Sequence, residues 1–116
     1  GVRARHPKVP IIAFPRAVGP AALMYRRPDT FSVLSLDTGI GAHWAAKELQ
    51  PHICVQGNLD PVLLYAPHQT LRPAVEHIIR QAHERPGHIF NLGHGVPPDA
   101  KMENLEILVA TIKNFA

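Results

Sequence analysis

Apolar residues along the chain fall into two alternating kinds of segment. Four short runs, Val9 to Phe14, Phe31 to Leu36, His52 to Gln56 and His88 to Leu92, are bounded by turn residues and are too short for helices. All but the last are nearly continuous in apolar residues, which suits strands buried on both faces, as in a parallel sheet. Helical patterns lie between them. Leu71, Val75, Ile78, Ile79 and Ala82 recur at the spacing of one helix face, with Thr70 as the expected N-cap, Pro73 in the first turn and Pro86-Gly87 as the stop. A last helix is predicted on the stripe Leu105, Leu108, Val109 and Ile112, with Asp99 near its start. Pro20 to Tyr25 and Ala42 to Leu49 read as shorter helices, and Pro61 to Tyr65 as one further turn.

The order is therefore β-α repeated four times, which calls for right-handed crossovers and a parallel sheet. Four units in 116 residues is about 29 residues each, close to the ~31 of an eight-unit barrel of ~250 residues. The arithmetic predicts an α/β fold that is one half, four β/α units, of a (β/α)8 barrel. A small doubly wound sheet is the competing architecture, but no G-x-G-x-x-G fingerprint follows a strand.

Composition narrows the setting without naming a function. The chain is 46% hydrophobic and 18% charged, which is globular rather than disordered. Its net charge of +3, gathered mostly near the start (Arg3, Arg5, Lys8, Arg16, Arg26, Arg27), is too mild to imply nucleic acid. No apolar run approaches a membrane span, and one cysteine excludes an internal disulfide framework and fits a reducing, cytoplasmic compartment. There is no initiator Met and no signal region, and Gly1 to Lys8 reads as the tail of a basic helix or linker. The expectation is a single domain portion, residues 1 to 116, from the carboxyl-terminal part of a longer protein.

In a parallel β/α fold the chemistry collects where strands end. Polar residues and glycines do gather there: Arg16 and Gly19 after the first strand, Asp37-Thr38-Gly39 after the second, Gln56-Gly57-Asn58 and Asp60 after the third, Asn91 to Gly95 after the fourth. His94, between Gly93 and Gly95, is the candidate for holding a ligand carboxylate or passing a proton. A loop histidine held by nearby carbonyls is the alternative. Asp60 before Pro61 reads chiefly as a helix cap. Asp37 either orients a neighbour at the mouth or caps the helix near Gly41. His52-x-Cys54 could suggest zinc, but a zinc site normally takes three protein ligands, often with a second Cys, and Cys54 reads better as a small buried group. His77 and His83 read as solvated residues of a surface helix, and Arg3 to Lys8 as an exposed face.

Two long motifs are familiar in register. Gln56-Gly57-Asn58-Leu59-Asp60-Pro61 with Leu64-Tyr65-Ala66, and Phe90-Asn91-Leu92-Gly93-His94-Gly95-Val96 with Pro98 and Glu103-Asn104, resemble signatures of the uroporphyrinogen decarboxylase family. Val9-Pro10-Ile11-Ile12 with Phe14 and Gly19 looks like the preceding strand and loop, so the resemblance runs from about Val9 to Phe115. It implies the last four units of a (β/α)8 TIM barrel, in a cytoplasmic enzyme of haem and tetrapyrrole biosynthesis that is usually a homodimer and uses no cofactor and no metal. It also implies the reaction, removal of CO2 from the four acetate arms of uroporphyrinogen III to give coproporphyrinogen III. His94 matches the family's substrate-contacting active-site histidine. The family's Arg-rich segment, its pyrrole-binding Asp, and its Tyr and Ser or Thr have no counterpart in this sequence. Thr38 is a departure, since many members carry Trp directly after the residue matching Asp37.

Two other readings stand beside this one. Zinc-dependent corrinoid or coenzyme methyltransferases of the same superfamily resemble the chain superficially at His52-x-Cys54. A non-catalytic half-barrel interaction module is the other. Because a half-barrel leaves two strand edges and a core face uncovered, the isolated chain is expected to be oligomeric, poorly folded or aggregation-prone, and inactive. No nucleic acid or membrane partner is expected.

Overall fold

The computed structural model describes residues 2–83 and 85–115; the Arg3 side chain, within the predicted basic face, lies outside what is described. The elements run α1 (Val2–Arg5), β1 (Ile12–Ala13), a 3-10 helix (Gly19–Tyr25), β2 (Val33–Ser35), α2 (Ala42–Glu48), β3 (Cys54–Gln56), a second 3-10 helix (Pro61–Tyr65), α3 (His68–Ala82), β4 (His88–Ile89) and α4 (Met102–Asn114). All three strand pairings are parallel, and the sheet order β1-β2-β3-β4 follows the chain. The chain is thus a mixed α/β fold built on a four-stranded parallel sheet, with its elements in the order the pattern predicts.

The strands are shorter than the apolar runs. Pro10 and Pro15 bracket β1 and cannot donate to a ladder, which leaves Ile12 and Ala13 as its paired core. At the far side β4 regains contact after a gap, through a parallel bridge between Leu59 and Leu92. Register sorts the side chains into two faces. Ala13, Leu34, Val55 and His88 form one row across the sheet. Leu34, Leu36 and Val55 pack there with Ala45 of α2 and Leu49 just past it, while Leu59 and Leu92 join Leu71, Val75 and Leu108 in a second cluster under α3 and α4. Burying each of the larger of these side chains is worth about 2 kcal/mol.

The opposite face corrects the expectation of strands buried on both sides. Ile12, Phe14 and Ile89 are 50%, 45% and 42% exposed, although their alternation sets them on the sheet rather than in loops. The helices pack on the other face, and nothing among the described residues covers this one.

The helix boundaries carry further corrections. Thr70 is not the N-cap of α3; Pro67 is, and its carbonyl accepts from both Thr70 and Leu71 N–H. Pro73 therefore lies past the first turn, where it removes one backbone hydrogen bond. Burial of Leu71, Val75, Ile78, Ile79 and Ala82 offsets that loss. The stop at Pro86-Gly87 is reinforced by buried Gln50, whose Nε2 donates to the Ala82 and Arg85 carbonyls at 2.8 Å each. α4 starts at Met102, a few residues after Asp99, which accepts from the Tyr65 hydroxyl. Its buried line runs through Asn104 and Leu108, and Val109 is 49% exposed, because Asn104 turns inward to donate to the Leu64 and Ala66 carbonyls. His77 and His83 are both exposed as expected, His83 as the C-cap just past α3, edge-on to Phe115.

His88 couples this packing to pH. Its Nε2–H donates to the Gly57 carbonyl at 2.7 Å. Burial, helped by the charge of His83, holds the imidazole below its usual value of 6.5 against the opposing effect of that hydrogen bond. Between the folded and unfolded values the unfolded chain takes up a proton that the folded chain refuses, so acidification through 6.5 lowers stability. Urea melts across this range should show the loss, and His88→Gln should flatten it.

Candidate active site

The carboxyl ends of all four strands meet around one open cavity of about 370 Å³, lined by Ile12, Phe14, Ser35, Gln56, Asn91 to Gly95, and Val96. Ser35 and Gln56 are register partners on β2 and β3, and Gln56 Nε2 donates to Ser35 Oγ at 3.1 Å, which joins the two strands on the cavity face. Phe14 and Ile12 give the wall by β1 an apolar character. The cavity thus combines apolar surface with a few fixed polar groups, as small-molecule sites do.

His94 lines this cavity, with its side chain 35% exposed. Its Nε2 lies 2.9 Å from Asp37 Oδ1, on a carboxylate that is only 11% exposed. The same oxygen accepts from Thr38 N–H at 2.6 Å, and Oδ2 accepts from Ala17 N–H at 2.7 Å. Asp37 therefore ties together the loops after β1, β2 and β4. Of the two roles open to it in the sequence, it takes the orienting one; Gly41 is the N-cap of α2 and receives no side-chain bond. Burial by itself raises the Asp37 carboxyl pKa, but the Ala17 and Thr38 N–H groups, with the positive charge of His94 and Arg16, outweigh it and hold it below 3.8. The carboxylate is the stable form at neutral pH.

Two backbone features build the loops that meet here. Gly57 has φ +135°, and a Cβ there would stand 3.1 Å from the Leu36 carbonyl oxygen, so glycine is required where β3 ends. Asn58, buried just after it, donates to the Asp37 and Ile40 carbonyls and fixes the loop that carries Asp37. Gly93 is in direct apposition to Thr38: a Cβ there would fall 2.2 Å from Thr38 Oγ1 and 2.6 Å from its backbone N. Gly95 has open space around it. Close approach, rather than a turn at both glycines, is what Gly93 provides.

Ala17 carries strain. Its φ of 60° is a left-handed conformation that costs a non-glycine residue about 1 kcal/mol, and its N–H is the one Asp37 Oδ2 holds. Ala17→Gly should raise stability by about 1 kcal/mol in urea melts, leaving the Asp37 contacts in place.

The remaining sequence candidates fall outside the cavity. Asp60 caps the second 3-10 helix by accepting from Val62 N–H at 3.0 Å. His52 is exposed ahead of β3, and Cys54 is half-buried within it, its thiol pushed up by burial. Among the described residues no three His, Cys, Asp or Glu side chains are grouped as metal ligands. Sequence reasoning placed Gln56 among the polar residues at the strand ends but did not pick out its cavity partner Ser35. The signal was present, a polar residue at the same register position in two adjacent apolar runs.

A parallel β/α sheet whose strand ends converge on a histidine-bearing cavity defines a class of α/β folds with the site at the strand carboxyl ends. Comparison with known proteins narrows the class. The family model described as uroporphyrinogen decarboxylase (URO-D) matches residues 1–115, and the chain belongs to that family. Among curated relatives, the uroporphyrinogen decarboxylase of Paracoccus denitrificans (strain Pd 1222) is 44% identical over 112 residues, covering 97% of this chain and 32% of the relative. That of Jannaschia sp. (strain CCS1) is 43% identical over 113 residues, covering 97% and 33%. The one from Novosphingobium aromaticivorans is 36% identical over 112 residues, again covering 97% and 33%. The chain spans about a third of the length of these relatives. No helix among the described residues is long and apolar enough to cross a membrane.

Proposed function

We propose that the chain forms the last four units of a (β/α)8 barrel and brings His94 to the active site of a cytoplasmic, homodimeric uroporphyrinogen decarboxylase of haem and tetrapyrrole biosynthesis. The observation that carries this reading is the Asn91-Leu92-Gly93-His94-Gly95 loop, which resembles a signature of the matching family and stands at the strand ends with His94 lining an open cavity. The sheet supports the barrel half. Its strands run in chain order, as in a closing barrel, and its uncovered face holds Ile12, Phe14 and Ile89 where a barrel interior would be.

The substrate, uroporphyrinogen III, carries acetate arms on pyrrole rings. Protonation of the ring beside an arm makes an electron sink. The bond to the carboxylate carbon then breaks, its electron pair flows into the protonated ring, CO2 departs, the arm carbon takes up a proton and the ring releases the proton it gained. His94 steadies a substrate carboxylate or assists proton transfer. The larger electrostatic share falls to arginine and aspartate groups on the part of the barrel this chain does not contain. The isolated chain is accordingly inactive, with its cavity open on one side.

The test is a chimera in which this chain replaces the matching third of the Paracoccus denitrificans relative. Incubated with uroporphyrinogen III under reducing conditions, it should give coproporphyrinogen III through stepwise CO2 loss, followed by mass spectrometry. A folded chimera that leaves the substrate untouched would remove the decarboxylase assignment.

A further inference from the structure

We infer that Ser35 and Gln56 form a carboxylate-binding subsite apart from His94, a pair of neutral donors that takes one acid arm of the substrate. The inference rests on the decarboxylase reading for the identity of that substrate, though not for the position of the pair. Ser35 and Gln56 are register partners, and Gln56 pairs onward with Ile89. Two residues earlier on the same face stand Val33 and Cys54, with Ile12 beside Val33. A hydroxyl and an amide thus interrupt an otherwise apolar stretch of sheet, where packing alone would favour Val or Ile. They do so on the wall of the cavity that His94 also lines.

Hydrogen-bond accounting gives the pair its chemistry. Gln56 Nε2 donates to Ser35 Oγ at 3.1 Å, and neither side chain has another hydrogen-bond partner among the described residues. A hydroxyl that accepts from Gln56 turns its own hydrogen elsewhere, and the amide keeps a second N–H. Two donors therefore remain, on atoms 3.1 Å apart at the wall of an open cavity. Adjacent donors suit the two oxygens of one carboxylate. Among the described residues no Lys or Arg lines this cavity, so here an acid arm meets neutral groups and His94. Ile12 and Phe14 make part of the wall apolar, which strengthens hydrogen bonds to a charged acceptor.

Gln56→Glu separates binding from a mere tie between strands. In that variant Ser35 O–H donates to the new carboxylate, so the link between β2 and β3 persists with its direction reversed. Both spare donors are lost, and a negative charge faces the arm. Ser35→Ala does the converse, breaking the link while leaving the Gln56 amide free to donate. In the chimera at mildly alkaline pH, Gln56→Glu should raise KM for uroporphyrinogen III about a hundredfold and Ser35→Ala about tenfold, with smaller changes in kcat. A near wild-type KM in Gln56→Glu, or a larger rise in Ser35→Ala, would overturn the proposal. If urea melts show Gln56→Glu unfolded, Gln56→Met takes its place, and an unchanged KM there overturns the proposal equally. Calorimetry with coproporphyrinogen III, which keeps the propionate arms and has lost the acetate carboxyls, identifies the arm. Weakened binding in the variants assigns a propionate; unchanged binding beside the raised KM assigns an acetate. A chimera that binds both porphyrinogens without turnover would sink the decarboxylase reading alone, and calorimetry with uroporphyrinogen III would then rank the same variants. One that binds neither would overturn both.

Discussion

Gly93→Ala is expected to be the most damaging single-methyl change in the chain. The added Cβ would lie 2.2 Å from Thr38 Oγ1, 2.6 Å from Thr38 N and 2.8 Å from Thr38 Cα. Side-chain rotation could move the hydroxyl, but the backbone N and Cα cannot yield without shifting the loop after β2. That loop is held by Asn58 through the Asp37 and Ile40 carbonyls and by Asp37 through Ala17, so a shift would spread to the loops after β1 and β3. Overpacking typically costs 1–3 kcal/mol, and a clash with backbone belongs at or above the top of that range, about 3 kcal/mol. Gly95→Ala is the control, because its Cβ would meet no atom within 4 Å. Urea melts of the chimera should show a large loss for Gly93→Ala and little change for Gly95→Ala. Similar midpoints for the two would contradict the close apposition of the β2 and β4 loops.

His94→Ala is expected to lower kcat/KM of the chimera by about a hundredfold while leaving its melt unchanged within ~1 kcal/mol. The ring is 35% exposed and packs into neither core cluster, so its removal exposes little apolar surface. The stability cost that does arise is loss of the His94 contact at 2.9 Å from Asp37 Oδ1, while both hydrogen-bond donors to the carboxylate, the Ala17 and Thr38 N–H groups, stay in place. Steady-state kinetics with uroporphyrinogen III, read beside the melt, separates the two effects. Undiminished turnover would remove His94 from the site; a collapsed melt would make it structural.

How far the sequence reached depended on whether the signal was local. The order of strands and helices was legible because apolar runs and helix-spaced stripes are properties of neighbouring residues. His94 was legible for a similar reason, standing between glycines in a loop that follows a strand. Asp60 as a cap could be read from Pro61 beside it. The role of Asp37 could not, since its three partners lie on three loops, two of them distant in sequence, and only folding brings them together. The same holds for Gly93, whose requirement is set by Thr38. Thr70 misled because a good capping residue stood near a helix start that Pro67 already defined. Val109 misled because the α4 stripe was read from apolar residues alone, whereas buried Asn104, satisfied by the Leu64 and Ala66 carbonyls, rotates the inward face. The continuous apolar strands did signal burial on both faces. One of those faces has no covering element among the described residues, so that part of the expectation is not met within this chain.

Reconstitution in two pieces tests the proposed half-barrel most directly. This chain and the amino-terminal two-thirds of the Paracoccus denitrificans relative would be purified separately, each assayed alone, then mixed and assayed with uroporphyrinogen III. The account predicts no turnover by either piece, association on mixing, and CO2 loss that depends on His94 in this chain. Association without turnover would contradict the function while leaving the barrel intact. A chain that stays monomeric, sharply folded and indifferent to its counterpart would contradict the half-barrel itself.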